Sequence, residues 1–407
     1  MIQETEYHVV VMTQLNNVTP FPQPDPEALT ISDRLCELIK QRIVQHGNSL
    51  SFDEYMSLAL YEPGLGYYSA GSCKFGEAGD FVTAPEISPV FSRCVARQCE
   101  EIIARLEQPV VVELGAGSGV MASDVLQELQ ARSCLPEAYW ILETSADLRE
   151  RQQTLLKERV PEAFERVRWL DTLPAEPFSG IVLANEVVDA LPIKRFKKTA
   201  QGFAEMGVGA NDGDLDWLVM PAGADLVEKL QQVEEKTGRL FADGYISELN
   251  TGLQAWLAAV AEKLASGVML VFDYGYPRHE YYHPDRSDGT LLCYYRHRVH
   301  NDPFLLPGLQ DITASVDFTD LTEAAIASGL DVKGYTTQAY FLMATGLQEF
   351  TADMTGTDSR QQAITAQQIR TLTMPGEMGE RIKVMALTRQ YNHALKGFSV
   401  MDQRARL

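Results

Sequence analysis

Two short stretches of this sequence place chemically active residue types at spacings that suit a reaction or a bound cofactor. The first, HEYYH, spans His279 to His283 and matches the H-E-x-x-H pattern, which on a helix gives zinc two imidazoles and a general base. The second, ELGAGSG at residues 113–119, combines an acid with three glycines directly after an apolar run. Glycines there let the backbone approach a ligand more closely than a Cβ atom would allow.

The surroundings of HEYYH argue against a zinc peptidase. Pro277 precedes it and Pro284 follows it, which predicts a loop instead of the helix that would put both histidines on one face. A third ligand is also missing, because the extended protease spacing puts Arg286 where glycine is needed and Gly289 where histidine is needed. Residues 284–310 contain no glutamate to replace it. We therefore predict no metal site in this stretch.

The glycine stretch has the context that makes such a pattern informative. The run VVVELGAGSGVMASDVL predicts a buried strand, a tight turn through Gly115, Gly117 and Gly119, and a helix. A dinucleotide site requires G-x-G-x-x-G, whereas here the third glycine comes one residue early and Glu113 precedes the turn. This arrangement resembles the first motif of class I S-adenosylmethionine-dependent methyltransferases.

Polar residues follow the next predicted strands at the points where those strands end. Glu143 closes AYWIL and suits the two ribose hydroxyls of a nucleoside, and Asp171 closes RVRWL, where such enzymes commonly hold the adenine amino group. Asn185 and Glu186 close GIVLA. Since ligands of open α/β sheets bind at the carboxyl ends of the strands, these residues favour S-adenosylmethionine as the cofactor.

Alternating strand and helix patterns must position these residues. Apolar runs at 109–114, 138–142, 166–170, 180–184 and 268–273 are separated by amphipathic segments at 119–131 and 146–159, which predicts a mostly parallel sheet covered on both faces. Asn185 to Leu191 suggests another helix start, and on that helix Glu186 and Asp189 would share a side. The expected fold class is α/β.

The chain divides by pattern into four expected parts. Residues 1–87 hold N-terminal helices and a loop covering the cofactor, and residues 88–192 hold the Rossmann core that binds it. Residues 193–265 form an inserted substrate or lid subdomain, and residues 266–407 complete the core sheet with acceptor-side loops. The basic run Lys194 to Lys198, with Arg195 and Lys197, is expected to be a solvated face.

Composition excludes several partners. The 407 residues include 35 Lys+Arg and 56 Asp+Glu, and the net charge of −21 repels nucleic acids and anionic lipids. No apolar run reaches the ~18 residues of a membrane span. The six cysteines form no CxxC pair, and no Lys or Arg precedes Arg34, unlike a signal or transit peptide. A cytoplasmic protein without a membrane span is expected.

Long stretches of the chain resemble one family, the MidA-like methyltransferases, bacterial relatives of the mitochondrial protein-arginine methyltransferase that assists complex I assembly. The similar stretches are YEPGLGYYSAGSCKFGEAGDFVTAPEISPVFSR, ELGAGSG, LANEVVDALP, FDYGYPRHEYYHP, GTLLCYYRHRVHNDP and QDITASVDFTDL. The resemblance runs from about Ile31 to about Leu387. It implies a seven-stranded Rossmann-like methyltransferase sheet, bound S-adenosylmethionine and methyl transfer to a protein, with arginine as the acceptor.

An arginine acceptor requires carboxylates that hold its guanidinium and leave a nitrogen lone pair available. Glu186 and Asp189 are the candidates, with Asp80 and Asp273 as further ones, and His283 is expected to shape the acceptor pocket. In the aromatic loop before residue 87, we assign Asp80 to the ammonium of the cofactor and Phe81 to its sulfonium or adenine. Thr83 is assigned to its carboxylate.

Two other functions remain open from the sequence. One is a non-catalytic assembly factor that keeps the fold to bind a partner, since fold does not imply function. The other is a methyltransferase that acts on a small molecule. Binding of S-adenosylmethionine distinguishes an enzyme from a factor that has lost the cofactor site.

Overall fold

The computed structural model of the protein describes residues 22–69, 83–352 and 359–407. Its strands occur in three sheets, and their bounds are as follows: β1 Val110–Leu114, β2 Ala138–Leu142, β3 Val167–Leu170, β4 Phe178–Asn185, β5 Lys194–Thr199, β6 Gly202–Asn211, β7 Asp214–Pro221, β8 Ile246–Leu249, β9 Leu264–Tyr276, β10 Leu292–Tyr295, β11 Arg298–His300, β12 Asp311–Thr313, β13 Val316–Asp317, β14 Asp331–Thr337 and β15 Ile382–Arg389.

The helices lie before, between and after these strands. Their bounds are α1 Pro26–Gln45, α2 Phe52–Tyr61, α3 Ala84–Ile87, α4 Pro89–Ile103, α5 Val120–Ala131, α6 Ala146–Arg159, α7 Ala224–Thr237, α8 Leu253–Lys263, α9 Arg278–Tyr281, α10 Phe318–Ala327, α11 Gln338–Thr345, α12 Leu347–Ala352, α13 Ser359–Thr373 and α14 Met378–Arg381. Within the parts of the chain described, none of the helices has the length and apolar character needed to cross a membrane.

The main sheet has the strand order β14-β15-β9-β4-β1-β2-β3, with the two-residue β13 beside β9. The five strands from β9 to β3 run parallel, and β15 is antiparallel to both of its neighbours. This mostly parallel seven-strand path confirms the predicted fold class. Because β1, β4 and β9 are adjacent and parallel, their carboxyl ends lie side by side at one edge.

Alternating side chains of the central strands face two apolar layers, which explains why both faces carry helices. Val111 of β1 packs in a cluster with residues of α4, α5 and α6, whereas Val112 packs in a second cluster with residues of α8 and α10. Both valines are almost fully buried. Short apolar strands of this kind are typical of a parallel sheet that is covered on both sides.

Two smaller antiparallel sheets lie outside the main one. Strands β5 to β8, residues 194–249, form the order β7-β6-β5-β8, and β10 pairs with β11 and β12. An apolar cluster joins α1 and α2 to β6, β10 and β12. Helix α8, which the expected insertion 193–265 includes, buries Leu253 and Leu257 against the main sheet instead. The added sheet itself therefore ends at Leu249.

Two local predictions are wrong. Asn185 to Leu191 forms a turn and no helix, because its amides are bound by an acid from β9 and Pro192 follows directly. The basic run is not a solvated face, since β5 lies between β6 and β8 and three of its four cations are paired with acids. The pairs are Lys194 with Asp53 and Glu205, Arg195 with Glu248, and Lys198 with Glu234.

Candidate active site

The candidate site lies where three neighbouring strands of the main sheet end. The register pairs Leu114 of β1 with Ala184 of β4, and Asn185 of β4 with Phe272 of β9. The glycine turn, the turn after Asn185 and the acid at Asp273 therefore follow one another across the carboxyl edge of the sheet. Ligands of open α/β sheets bind at this edge.

The glycine turn has the backbone that its sequence predicts. Gly115, Gly117 and Gly119 have φ values of 65°, 54° and 86°, in the left-handed region that favours glycine. A Cβ atom on Gly119 would lie 3.1 Å from Cγ of Gln152, whereas one on Gly115 would meet only a Val187 methyl group, at 3.9 Å. The surface above Gly115 is therefore open enough for a ligand to lie against the backbone.

Glu143 lies at the end of β2, beside this turn, and is largely buried. Its Oε1 accepts a hydrogen bond from the amide of Ser145 at 2.8 Å, and its Oε2 accepts one from Nε2 of Gln152 at 3.3 Å. The same Gln152 nitrogen donates to the carbonyl of Gly117 at 2.8 Å. Gln152 thus fixes the acid relative to the glycine turn. An open glycine cradle with an oriented carboxylate beside it fits S-adenosylmethionine, whose ribose hydroxyls are donors.

The Glu113 side chain is buried in the core, although its place just before the glycine turn suggests a contact with the cofactor. Its side chain is 1 % exposed and accepts a hydrogen bond from the Tyr139 hydroxyl at 2.6 Å. Burial raises the pKa of Glu113 to about 7, although the Tyr139 hydrogen bond lowers it. This hydrogen bond joins β1 to β2 within the core.

Asp171 lies at the outer border of the same edge. Its side chain is 84 % exposed and its Oδ1 is 2.7 Å from a guanidinium nitrogen of Arg149. Arg149 also donates to the carbonyls of Glu143 and Leu170, which ties the ends of β2 and β3 together. Contact between Asp171 and adenine stays a prediction.

The cofactor-covering loop is described only from Thr83 onward, and Asp80 and Phe81 lie outside the described residues. Thr83 is the N-cap of α3. Glu86 of α3 accepts a short hydrogen bond from the Ser118 hydroxyl in the glycine turn. This contact, which the sequence pattern did not reveal, places the start of α3 against the cofactor turn.

Asp273 organises the turn that follows β4. Its side chain is fully buried, and its Oδ2 accepts hydrogen bonds from the amides of Val187, Val188 and Asp189 at 3.2, 2.8 and 3.2 Å. Its Oδ1 accepts from the amide of Tyr274 at 2.8 Å. Burial raises the pKa of Asp273 to about 7, and these amides lower it. Both oxygens are occupied by backbone donors, so Asp273 acts as a positioning residue.

Glu186 is held in a left-handed conformation, with φ 51°, by its amide hydrogen bond to the Phe272 carbonyl at 2.8 Å. Nδ2 of Asn185 donates to its Oε1 at 3.3 Å. Burial raises the pKa of Glu186 to about 8 and the charge of Asp273 adds to the effect, while the amide of Ala84 lowers it. Its carboxyl group therefore lies between α3 and the buried acids.

Four carboxyl groups meet here, and we call Glu186, Asp189, Asp273 and Asp311 the acid cluster. Asp189 is 6 % exposed, and burial followed by the charges of Asp273, Glu186 and Asp311 raises its pKa well above the usual range. Among the described residues, Glu186, Asp189 and Asp273 form no ion pair with a lysine or arginine. A cation placed among these carboxyl groups would favour their ionised forms.

Asp311 of the acid cluster and four tyrosines around the cluster are not among the residues predicted from the sequence. Burial raises the pKa of each phenol, and carboxylates of the cluster raise it further. The four are Tyr61, Tyr68, Tyr274 and Tyr294. All five residues lie in the stretches that carry the family resemblance, so the signal was present. No periodicity distinguishes them from their neighbours in those stretches.

HEYYH lies away from these contacts. His279 and Glu280 belong to the four-residue helix α9, so the prediction of a loop is wrong for these residues. His283 lies beyond the end of α9. The His283 side chain is 47 % exposed, and its Nδ1 is 3.5 Å from Asp285. The structure does not bring His283 to the acid cluster by any described contact. Across the described ranges, no three His, Cys, Asp or Glu side chains are arranged to hold a metal ion.

Comparisons with known proteins agree with this geometry. A family model described as "Putative S-adenosyl-L-methionine-dependent methyltransferase" matches residues 94–336. The mitochondrial protein arginine methyltransferase NDUFAF7 of Homo sapiens is 31 % identical over 373 residues, which cover 82 % of this chain and 79 % of that protein. The Danio rerio protein of the same name is 29 % identical over 393 residues, 88 % of this chain and 87 % of its own length.

A solved structure extends the agreement to three dimensions. A crystal structure from Burkholderia thailandensis with bound S-adenosyl-homocysteine superimposes with a TM-score of 0.91 at 39 % sequence identity. It covers 95 % of this chain and 100 % of its own.

Proposed function

This chain belongs to the S-adenosyl-L-methionine-dependent methyltransferase family, and from that premise we propose that it methylates the side chain of arginine in a protein acceptor. The observation that carries the acceptor class is the acid cluster, whose Glu186 and Asp189 have no basic partner among the described residues. A buried set of carboxyl groups is stabilised when a cation enters it. The relatives named protein arginine methyltransferases support the same acceptor.

The residues of this chain align the reactants and move one proton. When bound, S-adenosylmethionine would supply a methyl group on its sulfonium sulfur, and the attacking nitrogen would bond to that methyl carbon in line as the carbon–sulfur bond breaks and S-adenosylhomocysteine leaves. Glu186 and Asp189, once ionised, hold the guanidinium and direct one nitrogen toward the glycine turn. Glu186 accepts the proton that this nitrogen loses, because its pKa of about 8 makes it an effective base near neutral pH. Asp273 keeps both acids in place through the turn amides.

Glu186→Gln tests this proposal against a matched control, Glu176→Gln, which removes an exposed acid with no described contact. Each variant is returned to cells lacking the gene, and arginine methylation of captured proteins is compared by mass spectrometry. We expect the wild type and Glu176→Gln to restore a methylarginine signal and Glu186→Gln to restore less than about a hundredth of it, a loss in the range seen when a catalytic base is removed.

Calorimetry with S-adenosylmethionine separates cofactor binding from catalysis. Glu186→Gln should bind the cofactor within about threefold of the wild type, because Glu143 and the glycine turn are unchanged. A wild type that binds no S-adenosylmethionine would overturn the enzyme proposal. Full restoration of methylarginine by Glu186→Gln would remove Glu186 from the mechanism.

We also propose a cytoplasmic location. The net charge of −21 supports it, because it disfavours contact with anionic membrane surfaces. Fractionation of cells followed by immunoblotting tests this, and recovery with the membranes would contradict it.

A further inference from the structure

The acid cluster has two walls that come from different parts of the fold. One wall is the turn after β4, which carries Glu186 and Asp189. The other is β12, in the small sheet formed by β10, β11 and β12, which carries Asp311. Asp189 and Asp311 are 122 positions apart in sequence, and both are almost fully buried, at 6 % and 2 % exposure. The Tyr61 hydroxyl donates to the carbonyl of Ala190, next to Asp189, at 2.8 Å, and the amide of Ala314, just after β12, donates to the carbonyl of Asp189 at 3.0 Å, so the two walls are in contact.

On the first wall, the Asp189 carboxyl group has no side-chain partner among the described residues. No described side chain donates a hydrogen bond to the Asp189 carboxylate or forms an ion pair with it, and the amide of its neighbour Ala190 lowers its pKa only in part. A carboxyl group that is more than nine-tenths buried normally has such a partner. Asp189 therefore points to a ligand that supplies the missing donors.

The opposite wall is already organised for a charged ligand. The Tyr68 hydroxyl and the Ile312 amide both donate to Oδ1 of Asp311, at 2.9 and 3.0 Å. These two donors fix the orientation of the carboxylate before any ligand enters. The Tyr68 ring stacks on Tyr61 with 5.5 Å between centroids and 22° between planes. A fixed acid with a flat aromatic surface beside it suits a planar cation, since guanidinium groups both pair with carboxylates and stack on rings.

We propose that Asp311, oriented by Tyr68, binds the acceptor guanidinium together with Asp189, and that this pair of opposing acids selects arginine over lysine. This inference rests on the proposed function. Glu186 is nearer the cofactor turn, because its neighbour Val187 contacts the position above Gly115 and its carboxyl group meets the amide of Ala84. Glu186, which contacts the reacting nitrogen and accepts its proton, thus has a different place from Asp189 and Asp311.

Asp311→Asn tests the assignment, with Asp331→Asn as the control because Asp331 is an exposed acid at the start of β14. The peptide acetyl-Gly-Arg-Gly-amide is titrated into each protein saturated with S-adenosyl-homocysteine, at pH 8, in a calorimeter. Asp311→Asn is expected to weaken peptide binding at least tenfold and to leave the affinity for S-adenosyl-homocysteine within twofold. The control should match the wild type in both, and acetyl-Gly-Lys-Gly-amide should bind the wild type at least tenfold more weakly than the arginine peptide.

The pH dependence of peptide binding separates binding by Asp311 from a merely structural role. Removal of its charge takes away a neighbour that raises the pKa of both Asp189 and Glu186. The residual peptide binding of Asp311→Asn should therefore reach its midpoint at lower pH than in the wild type. Tyr68→Phe should move the midpoint of peptide binding to higher pH, since it removes a hydrogen bond that favours ionised Asp311. If Asp311→Asn does not fold, the Tyr68→Phe variant is the test.

The outcomes distinguish this inference from the function on which it rests. A wild type that binds S-adenosyl-homocysteine but not the arginine peptide overturns the arginine acceptor and this inference with it. If the wild type binds both and Asp311→Asn binds the peptide equally well with an unchanged midpoint, only the inference fails. Equal binding of the lysine and arginine peptides by the wild type would overturn the claimed selectivity.

Discussion

Glu186 is the residue whose charge state most directly links pH to activity. Its pKa of about 8 means that half of the molecules carry it protonated near that pH, and a protonated acid neither holds a cation nor accepts a proton. Asp273, with a pKa of about 7, gains its charge in the same range. We therefore expect kcat/KM for methyl transfer to rise from pH 6 to pH 8.5 and then to level off.

The free energy of unfolding should fall over the same pH range in which kcat/KM rises. Both acids have folded-state pKa values above their ordinary values of 4.5 and 3.8, so the folded protein binds more protons than the unfolded chain between those limits. This contribution to the free energy of unfolding is fully present at low pH and is lost as the pH rises through 7 and 8. Urea denaturation at several pH values, alongside the rate measurements, checks both signs. Glu186→Gln should flatten the stability curve, and an unchanged curve would contradict the assignment.

Among structural elements, the glycine turn makes the most specific prediction. Gly115→Ala and Gly213→Ala both place a Cβ at a left-handed residue, with φ 65° and 94°, and neither Cβ would meet an atom closer than 3.9 Å. Both should therefore lose about 1 kcal/mol of folding stability from backbone strain. Gly115→Ala alone should weaken S-adenosylmethionine binding, by tenfold or more, because its methyl group occupies the ligand surface.

Thermal denaturation and calorimetry on these two variants make the comparison direct. Gly213 lies in the hairpin between β6 and β7, in a different sheet from the glycine turn. Equal cofactor affinity for the two variants would show that the ligand does not lie against Gly115.

Elements formed by local pattern were predictable from the sequence, whereas positions set by distant partners were not. The run AYWIL coincides with β2, and the helical pattern at 146–159 coincides with α6. The turn after Asn185 has no helix because its amides bind Asp273, which lies 84 residues beyond Asp189. Lys194 looked solvated because its partners Asp53 and Glu205 lie on α2 and β6.

The candidate site shows the same division. The glycine turn and Glu143 were found because each follows an apolar run at a strand end. Asp311 was not found, because it lies on β12 of a separate sheet and comes near Asp189 only through the fold, where the amide of Ala314 just after β12 donates to the carbonyl of Asp189 at 3.0 Å. A single sequence shows the chemistry of each residue, whereas it does not show which residues from separate sheets share a space.

At the scale of the whole molecule, the cofactor half and the acceptor half of the site depend on different apolar clusters. The glycine turn follows β1 of the main sheet, while Tyr61 ends α2, which packs in the cluster of α1, β6, β10 and β12. Phe52 of α2 is fully buried in that cluster, 4.8 Å from Trp217 between ring centroids. We expect Phe52→Ala to cost about 3–5 kcal/mol of stability and to weaken acceptor binding more than cofactor binding.

Phe178→Ala is the matched control. Phe178 is buried at the start of β4, the end of the sheet opposite the site, where it contacts Trp140. It should lose comparable stability without a selective effect on the acceptor. Urea denaturation and calorimetry with both ligands measure the two variants, and equal loss of acceptor affinity in both would refute a separate acceptor half.

At Glu186, the residue that favours catalysis lowers the stability of the fold. A non-glycine residue with φ 51° carries strain of about 1–3 kcal/mol, and its carboxyl group is held among other acids. Glycine at this position would relieve both costs, so the native residue is a poor choice for stability and a good one for catalysis. A laboratory selection for heat resistance alone would be expected to drift toward glycine here, whereas selection for methylated product would retain the acid.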